Sequence, residues 1–321
     1  MIRQFLKKFC KRGVHLPPQE VCEFTGNDVA STELSMNTQA HLNIGLSDTN
    51  DSVTSSDTLP SNNTESVNKL STTHLRIRAG GCSARGPRER NDDSYKIHGS
   101  IFAISDGIGG AEDGDVMSRV GCGASIERYV LDRAQGIARA FVAGNDAAVR
   151  VAKWIDNPSC GATLLLAEFV NNKMKFAWAG DTVAYLLRSD NWKLVTEKGR
   201  LSPTDNALES AIGYNLGLAP HTCSCDVMSG DRFLLCTDGV WEIYERVLGM
   251  DRLVELLGGS NDNPPYIASS IVKEAADAGW DNATAIVIFI EKDEENGYIF
   301  PPGERDLSEA ITLTTPRAKT Y

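Results

Sequence analysis

Acidic residues stand where apolar, strand-like runs of this sequence end or begin. Asp106 closes the run Ile-Phe-Ala-Ile-Ser, Asp238 follows Phe-Leu-Leu-Cys-Thr, and Asp281 comes just before Ala-Thr-Ala-Ile-Val-Ile-Phe-Ile. Two further acids, Asp92 and Asp93, follow a short arginine-rich segment. A single Asp-Gly step is ordinary turn chemistry. The repeated placement, with rigid strand backbone beside the carboxylates, predicts that these side chains meet at one site.

Clustered carboxylates restrict what such a site can hold. Like charges repel one another strongly when they are brought together away from water, so bound cations are needed to neutralise them. Oxygen ligands without histidine or cysteine select hard ions, which makes Mn²⁺ or Mg²⁺ the expected cofactor. Two such ions about 3.5–4 Å apart can activate a water molecule for attack on phosphorus. The cluster therefore predicts metal-assisted hydrolysis of a phosphate ester.

The elements that position these acids are short strands and separate helices. The spacing of apolar residues predicts helices at 118–130, 134–153, 251–257 and 265–278. Apolar runs around Asn171-Asn172, around Gly180-Asp181-Thr182 and within 226–239 predict antiparallel hairpins. Strands joined by tight turns, with helices in blocks of their own, indicate a layered α+β fold.

Composition and charge exclude several classes of protein. The chain has 321 residues, of which 41% are hydrophobic, and this is enough for a sizeable core. A net charge of -11 argues against a general nucleic-acid-binding protein. The eight cysteines show no zinc-type spacing, which fits reduced thiols. Because no apolar run resembles a membrane span or a secretory signal, a cytoplasmic location is expected.

Composition also divides the chain into four segments. Residues 1–24 open with a basic amphipathic pattern, and residues 1–12 fit either weak contact with an anionic membrane surface or a solvated helix. Residues 25–72 are rich in Ser, Thr and Asn and are expected to form a flexible linker. Residues 73–292 have the pattern of a packed domain, and 293–321 form a polar tail.

Several motifs in the packed domain occur in a characteristic order. They are Arg88-x-x-Asn91-x-Asp93, Asp106-Gly107-Ile108-Gly109-Gly110, Gly161-Ala162-Thr163, Gly180-Asp181, Asp238-Gly239 with Trp241-Glu242, and Asp281-Asn282-Ala283-Thr284. The set resembles the metal-dependent serine/threonine phosphatases of the protein phosphatase 2C family, in their bacterial form. The resemblance implies a four-layer α-β-β-α sandwich of two mainly antiparallel sheets flanked by helices. It also implies a phosphorylated protein substrate and signalling opposite a serine/threonine kinase.

The same resemblance implies a role for each central acid. Asp106 would bridge two metal ions, and the carbonyl of Gly107 would reach the second ion. Asp238 and Asp281 would hold the first ion. Asp93 would orient the attacking water and assist its deprotonation.

Three further positions border this centre in the family pattern. Arg88 would clamp the substrate phosphate with its planar fork. Asp92 stands where the family often has glutamate, so its contact with the second ion would pass through water. Asp181 resembles an aspartate that holds a third, weaker ion, and a plain turn aspartate fits that position as well. The usual Ser-Arg after this motif is replaced by Thr182-Val183, so no phosphate-binding arginine is expected there.

Two other functions fit the same sequence. A catalytically weak scaffold with the phosphatase fold could regulate a phosphoprotein partner by binding it, and loss of the metal-binding aspartates would be its mark. A phosphomonoesterase acting on small molecules would use the same metal centre. An assay on a phosphothreonine peptide, with and without a chelator, separates an enzyme from a scaffold.

Overall fold

The structure, a computed structural model, describes residues 74–108, 113–202 and 207–293. The predicted segments 1–24 and 25–72 lie outside these ranges, as does nearly all of the polar tail. The strands within them are β1 (Leu75–Ala84), β2 (Asp93–His98), β3 (Ile101–Asp106), β4 (Leu164–Val170), β5 (Lys173–Ala179), β6 (Val183–Arg188), β7 (Asn191–Leu194), β8 (His221–Asp226), β9 (Arg232–Cys236) and β10 (Ala283–Lys292).

The strands form two five-stranded sheets. Sheet I has the order β1-β10-β9-β6-β7, and sheet II has the order β2-β3-β4-β5-β8. Neighbouring strands run antiparallel in both sheets. Their facing sides enclose an apolar layer in which the rings of Phe176, from sheet II, and Phe233, from sheet I, lie 6.0 Å apart between centroids. The core therefore begins between the sheets.

Helices cover the outer face of each sheet. Ile126 and Phe141 pack against Leu164 of sheet II, and Ile271 packs against the outer side of sheet I near Val287. Because both faces of the central strands are covered, residues 285–290 of β10 form an apolar run without alternation. None of the helices in the described ranges combines the length and the apolar character that crossing a bilayer requires. The helices are α1 (Gly114–Leu131), α2 (Gly136–Ile155), α3 (Asp238–Ile243), α4 (Met250–Gly258) and α5 (Pro264–Ala278).

This arrangement confirms the predicted α-β-β-α sandwich. The hairpin at Asn171-Asn172 is confirmed as well, because both residues have positive φ and Val170 pairs with Lys173 across a two-residue turn. Helix α1 begins at Gly114, ahead of the predicted start at residue 118.

Two predicted hairpins are wrong. The chain turns at Gly180-Asp181-Thr182, but β5 belongs to sheet II and β6 to sheet I. The connection from β8 to β9 also passes between the sheets. At Gly180, a φ of 93° and close packing on Thr163 turn the chain out of its sheet instead of back along it. Local turn chemistry predicted the turn correctly, but pairing depends on strands that are distant in sequence.

Candidate metal centre

The two sheets bring acidic residues to one end of the sandwich. In sheet II, Asp93 begins β2 and Asp106 ends β3, and the two residues are direct partners in the ladder. In sheet I, Asp238 follows β9 and Asp281 precedes the adjacent antiparallel strand β10. The hydroxyl of Thr237 joins the sheets because its Oγ1 donates to Oδ2 of Asp93 at 2.9 Å. Acids from distant parts of the chain therefore meet, as the sequence predicts.

Hydroxyl groups hold Asp93 in place. The Asp93 side chain is buried, with the residue 1% exposed. Oγ1 of Thr237, which donates to it, also accepts a hydrogen bond from the amide of Thr284 at 3.1 Å. The hydroxyl of Thr284 in turn lies 2.7 Å from that of Ser83. Thr237 and Thr284 therefore support Asp93. The position of Thr237 directly before Asp238 is the sequence signal that could have identified it.

A second set of hydroxyls holds Asp106. The amide of Asp106 donates to Oγ1 of Thr163 at 2.9 Å, and the amide of Thr163 donates to the carbonyl of Asp106 at 2.8 Å. Oγ1 of Thr163 is also 2.6 Å from Oγ1 of Thr182. These contacts give a physical reason for the Gly161-Ala162-Thr163 motif, since its threonine fixes the end of β3. They also tie that end to the crossover at residues 180–182.

The loop before β2 is fastened by Asn282. Nδ2 of Asn282 donates to the carbonyls of Arg85 at 2.7 Å and Arg90 at 2.8 Å. Its Oδ1 accepts the amide of Asp92 at 2.8 Å. The side chain of Asn282 therefore joins the loop at residues 85–92 to the start of β10.

This loop places Arg88 at the rim of the site. Its side chain is 49% exposed, its Nη2 donates to Oδ2 of Asp281 at 2.6 Å, and its Nε donates to the carbonyl of Trp280 at 3.1 Å. The other oxygen of Asp281 accepts the amide of Asn282 at 2.8 Å. The predicted phosphate clamp thus lies beside a predicted metal ligand. Asp281 would have to release Arg88 before Oδ2 could bind an ion.

Close backbone contacts explain two of the motif glycines. A Cβ on Gly107 would lie 2.4 Å from the backbone of Gly114, and one on Gly239 would lie 1.8 Å from the carbonyl of Asn282. No side chain fits at those distances. Gly109 and Gly110 lie outside the described residues.

The electrostatics of the centre favour protonated acids or bound cations. Burial raises the pKa of Asp93 to about 7, and repulsion from Asp281 adds to the shift. Desolvation raises the pKa of Asp238 to about 7 as well, with repulsion from Asp181 and Asp281. The pKa of Asp106 lies well above its usual value because desolvation and the charges of Asp93 and Asp238 act together. The centre is therefore short of positive charge.

The donor atoms suit hard cations. Burial raises the pKa of Asp92, and the Oδ1 atoms of Asp92 and Asp238 are buried and accept no hydrogen bond within the described residues. Within those residues no three His, Cys, Asp or Glu side chains are arranged around one ion. Oδ2 of Asp281 is held by Arg88, so Asp106, Asp238 and Asp281 could surround one ion only after that contact opens. The residues fit the predicted metals in donor chemistry.

One corner of the site carries its own cation. The Arg200 side chain is 5% exposed, and its Nε donates to Oδ2 of Asp181 at 2.6 Å. Its Nη1 donates to Oε1 of Glu242 at 2.5 Å, and its Nη2 lies 3.2 Å from Oδ2 of Asp238. The guanidinium also lies 4.7 Å from the ring centroid of Trp241. No motif or spacing in the sequence points to Arg200, and Glu242 is predicted only as part of a motif.

Comparison with known proteins places the fold and the site in a family. The family model described as "Protein phosphatase 2C" matches residues 81–261, which is more than half of the chain. The chain belongs to this family.

Its curated relatives are bacterial. The serine/threonine protein phosphatase PstP of Mycobacterium tuberculosis is 27% identical over 237 residues, which cover 62% of this chain and 46% of PstP. A putative protein phosphatase of Mycoplasma genitalium is 22% identical over 259 residues, covering 66% of this chain and 95% of the relative. The chain thus spans about half the length of the PstP proteins that it matches.

Solved structures share the fold. The catalytic domain of PstP in complex with two manganese ions superposes with a TM-score of 0.60 at 24% identity, over 68% of this chain and all of the other. The phosphatase MsPP from Mycobacterium smegmatis, in complex with cacodylate, gives a TM-score of 0.59 at 22% identity, over 66% of this chain and 97% of the other. At these identities the likeness establishes the two-sheet architecture.

Proposed function

We propose that this chain is a metal-dependent protein phosphatase that hydrolyses phosphoserine and phosphothreonine in proteins. The observation that carries the proposal is the meeting of Asp93 and Asp106 with Asp238 and Asp281 at one end of two facing sheets. Membership of the protein phosphatase 2C family and similarity to the serine/threonine protein phosphatase PstP support the same activity.

Two divalent cations, Mn²⁺ or Mg²⁺, are proposed as the cofactor. A PstP structure contains two manganese ions, which supports this number. Asp106 would bridge the two ions, Asp238 and Asp281 would complete the first, and Asp92 with the Gly107 carbonyl would serve the second. When bound, the ions supply an activated water and neutralise charge on the phosphate.

The remaining residues would move a proton and hold the phosphate. The Asp93 carboxyl is fixed by Thr237 and has a pKa raised by burial to about 7, which suits a group that accepts a proton near neutral pH. Arg88 is half exposed at the rim, where its fork can reach two phosphate oxygens once it leaves Asp281. Binding of the substrate by Arg88 and binding of the metal by Asp281 would then each require the Arg88–Asp281 contact to open.

A protein substrate agrees with the surroundings of the site. The amide of Ile108, next to the motif glycine, donates to the carbonyl of Gly161, and the ring of Tyr214 packs over Gly161. Tyr214 and Leu216 are both exposed. Apolar and aromatic surface next to a phosphate site offers contacts to residues flanking a phosphorylated serine or threonine. A small phosphate ester has no flanking residues that could contact this surface.

The first experiment measures release of phosphate from a phosphothreonine peptide by the full chain. We expect activity with Mn²⁺, none with a chelator, and a loss of about 100-fold or more in Asp238→Asn, since even the supports of metal ligands are worth 10–100-fold. Asp226→Asn is the matched control, because Asp226 is an exposed aspartate that pairs with Lys173 away from the site. Full activity in Asp238→Asn would refute the ligand assignment. Bound Mn²⁺ without activity would favour the scaffold.

We also propose a cytoplasmic location and an opposing serine/threonine kinase, on the sequence arguments given above. Residues 1–12 would then add weak contact with a membrane surface. Cell fractionation of the full chain and of a variant lacking residues 1–24 tests the location and the membrane contact. Recovery of the full chain outside the cytoplasm would contradict the proposed location.

A further inference from the structure

The structure assigns to Arg200 the place of a third cation. We propose that its guanidinium is an internal positive charge that occupies the buried corner formed by Asp181 and Glu242. The site would then bind two divalent ions. It would exclude a third ion, although Asp181 resembles an aspartate that holds one. This inference rests on the proposed function only in taking the two-ion centre as given.

The contacts of Asp181 leave little room for an ion. Asp181 is buried, and Oδ2 accepts a hydrogen bond from Nε of Arg200 at 2.6 Å. The Nη2 group of Arg200 also lies 2.6 Å from the same oxygen. A divalent ion on Oδ2 would therefore have to displace the guanidinium or sit directly against a like charge.

Arg200 is fixed on several sides. Glu242 is also buried, and its Oε1 accepts a hydrogen bond from Nη1 of Arg200. The guanidinium group lies over the ring of Trp241. The indole of Trp241 donates to the carbonyl of Asp181 at 2.9 Å, so the aromatic support and the acid are themselves connected. A planar fork held by two acids and an aromatic face is a setting that lysine cannot reproduce.

The backbone brings Arg200 to this corner. The amide of Gly199 donates to the carbonyl of Gly180 at 3.2 Å. A Cβ on Gly199 would lie 2.7 Å from the same carbonyl, so glycine is needed for this approach. The segment that carries Arg200 is thereby attached directly to the Gly180-Asp181 crossover.

Arg200 positions other groups and does not contact substrate. Its side chain is almost fully buried, and its nitrogens already serve Asp181, Glu242 and Asp238. Arg200 donates to Oδ2 of Asp238, while Oδ1 of that carboxylate is buried and accepts no hydrogen bond from the described residues. We therefore expect Arg200 to orient Asp238 for the first ion while it neutralises Asp181.

The test counts Mn²⁺ ions bound by the full chain, using native mass spectrometry and calorimetric titration with Mn²⁺ alone. We expect two ions in the unaltered chain and two in Asp181→Asn, because Asp181 holds none. We expect three in Arg200→Ala and a return to two in Arg200→Ala combined with Asp181→Asn. Arg246→Ala is the matched control, since Arg246 pairs with the same Glu242 from an exposed position and should leave the count at two.

Three ions in the unaltered chain, falling to two in Asp181→Asn, would overturn the inference and leave the proposed phosphatase intact. Two ions in folded Arg200→Ala would overturn the role of Arg200. Should Arg200→Ala fail to fold, the ion counts of the unaltered chain and of Asp181→Asn still decide whether Asp181 binds a third ion. No bound Mn²⁺ in any variant would instead overturn the proposed function.

Discussion

The two sides of the site neutralise buried acids in different ways. On one side Asp93 lies opposite Asp106 and is held by the hydroxyl of Thr237, and burial raises the pKa of both acids. On the other side Asp181 and Glu242 share the guanidinium of Arg200. The first side needs protons or added cations, whereas the second contains its own cation.

This difference shows what each side is suited for. Burial raises the pKa of Asp181, but the charge of Arg200 opposes that shift. Burial alone would lower the pKa of Arg200, yet Asp181 and Glu242 outweigh it, so the guanidinium stays charged. The carboxylates of Asp181 and Glu242 are already paired with a buried cation, whereas the neighbouring carboxylates of Asp93 and Asp106 repel each other and gain from a bound cation. This contrast favours the proposed placement of the metal ions on the side of Asp93 and Asp106.

The largest expected effect comes from breaking the closed side. Arg200→Ala leaves buried Asp181 without its cation and removes one of the two cations beside Glu242, so it should lower the free energy of unfolding by about 3–5 kcal/mol. Urea denaturation in the presence of a chelator measures this loss without interference from metal. Arg246→Ala, at an exposed arginine on the same Glu242, should cost less than about 1 kcal/mol. Equal losses in the two variants would contradict the distinction between a buried and an exposed pair.

A smaller effect is expected from Thr237→Val on the other side. The variant removes the hydroxyl that donates to Asp93 and accepts from the amide of Thr284, so buried groups lose their partner. The cost should be about 1–3 kcal/mol, and phosphatase activity should fall because Asp93 is no longer held. Thr222→Val on exposed β8 is the control, with a change within about 0.5 kcal/mol. A stable and fully active Thr237→Val would show that the hydroxyl is dispensable.

A third expected effect is a pH dependence of stability. The pKa of Asp93 and of Asp238 is about 7 in the folded chain, against about 3.9 for an unfolded aspartate. The folded state therefore binds more protons between these values, and without divalent ions its free energy of unfolding should fall as pH rises from about 4 to 7. Mn²⁺ competes with those protons.

The rise in melting temperature caused by Mn²⁺ should accordingly be larger at pH 8 than at pH 6. Each kcal/mol of added stabilisation should appear as about 2–4 °C for a domain of this size. Thermal melts with Mn²⁺ and with a chelator at both pH values measure the difference. An equal rise at the two pH values would contradict competition between protons and metal.

Much of the fold follows from patterns within single elements. Helical spacing gave α2 and α5 nearly to their ends, and the Asn171-Asn172 turn gave the β4–β5 hairpin. The crossover at residues 180–182 was predicted as a hairpin because a tight turn looks the same whether the chain returns to its own sheet or enters another. Only the pairing of β6 with β9, which are far apart in sequence, decides between these outcomes.

The site was predictable where carboxylates mark strand ends and hidden where single contacts span the chain. Asp106, Asp238 and Asp281 each adjoin an apolar run, and this made them visible. Arg200 lies 19 residues from Asp181 and 38 from Asp238, between a glycine and a leucine that suggest nothing. Its burial follows from the fold, which no local pattern records.

The site is assembled across the seam between the two sheets, with Asp93 and Asp106 on one and Asp238 and Asp281 on the other. A ligand that binds residues of both sheets links the two layers, so its binding free energy also stabilises their packing. Conversely, a core substitution at Phe176 or Phe233 that shifts one sheet relative to the other would misalign the carboxylates of the two sheets, although neither phenylalanine belongs to the site. Tolerance to mutation in the interior between the sheets should therefore be narrower for function than for folding.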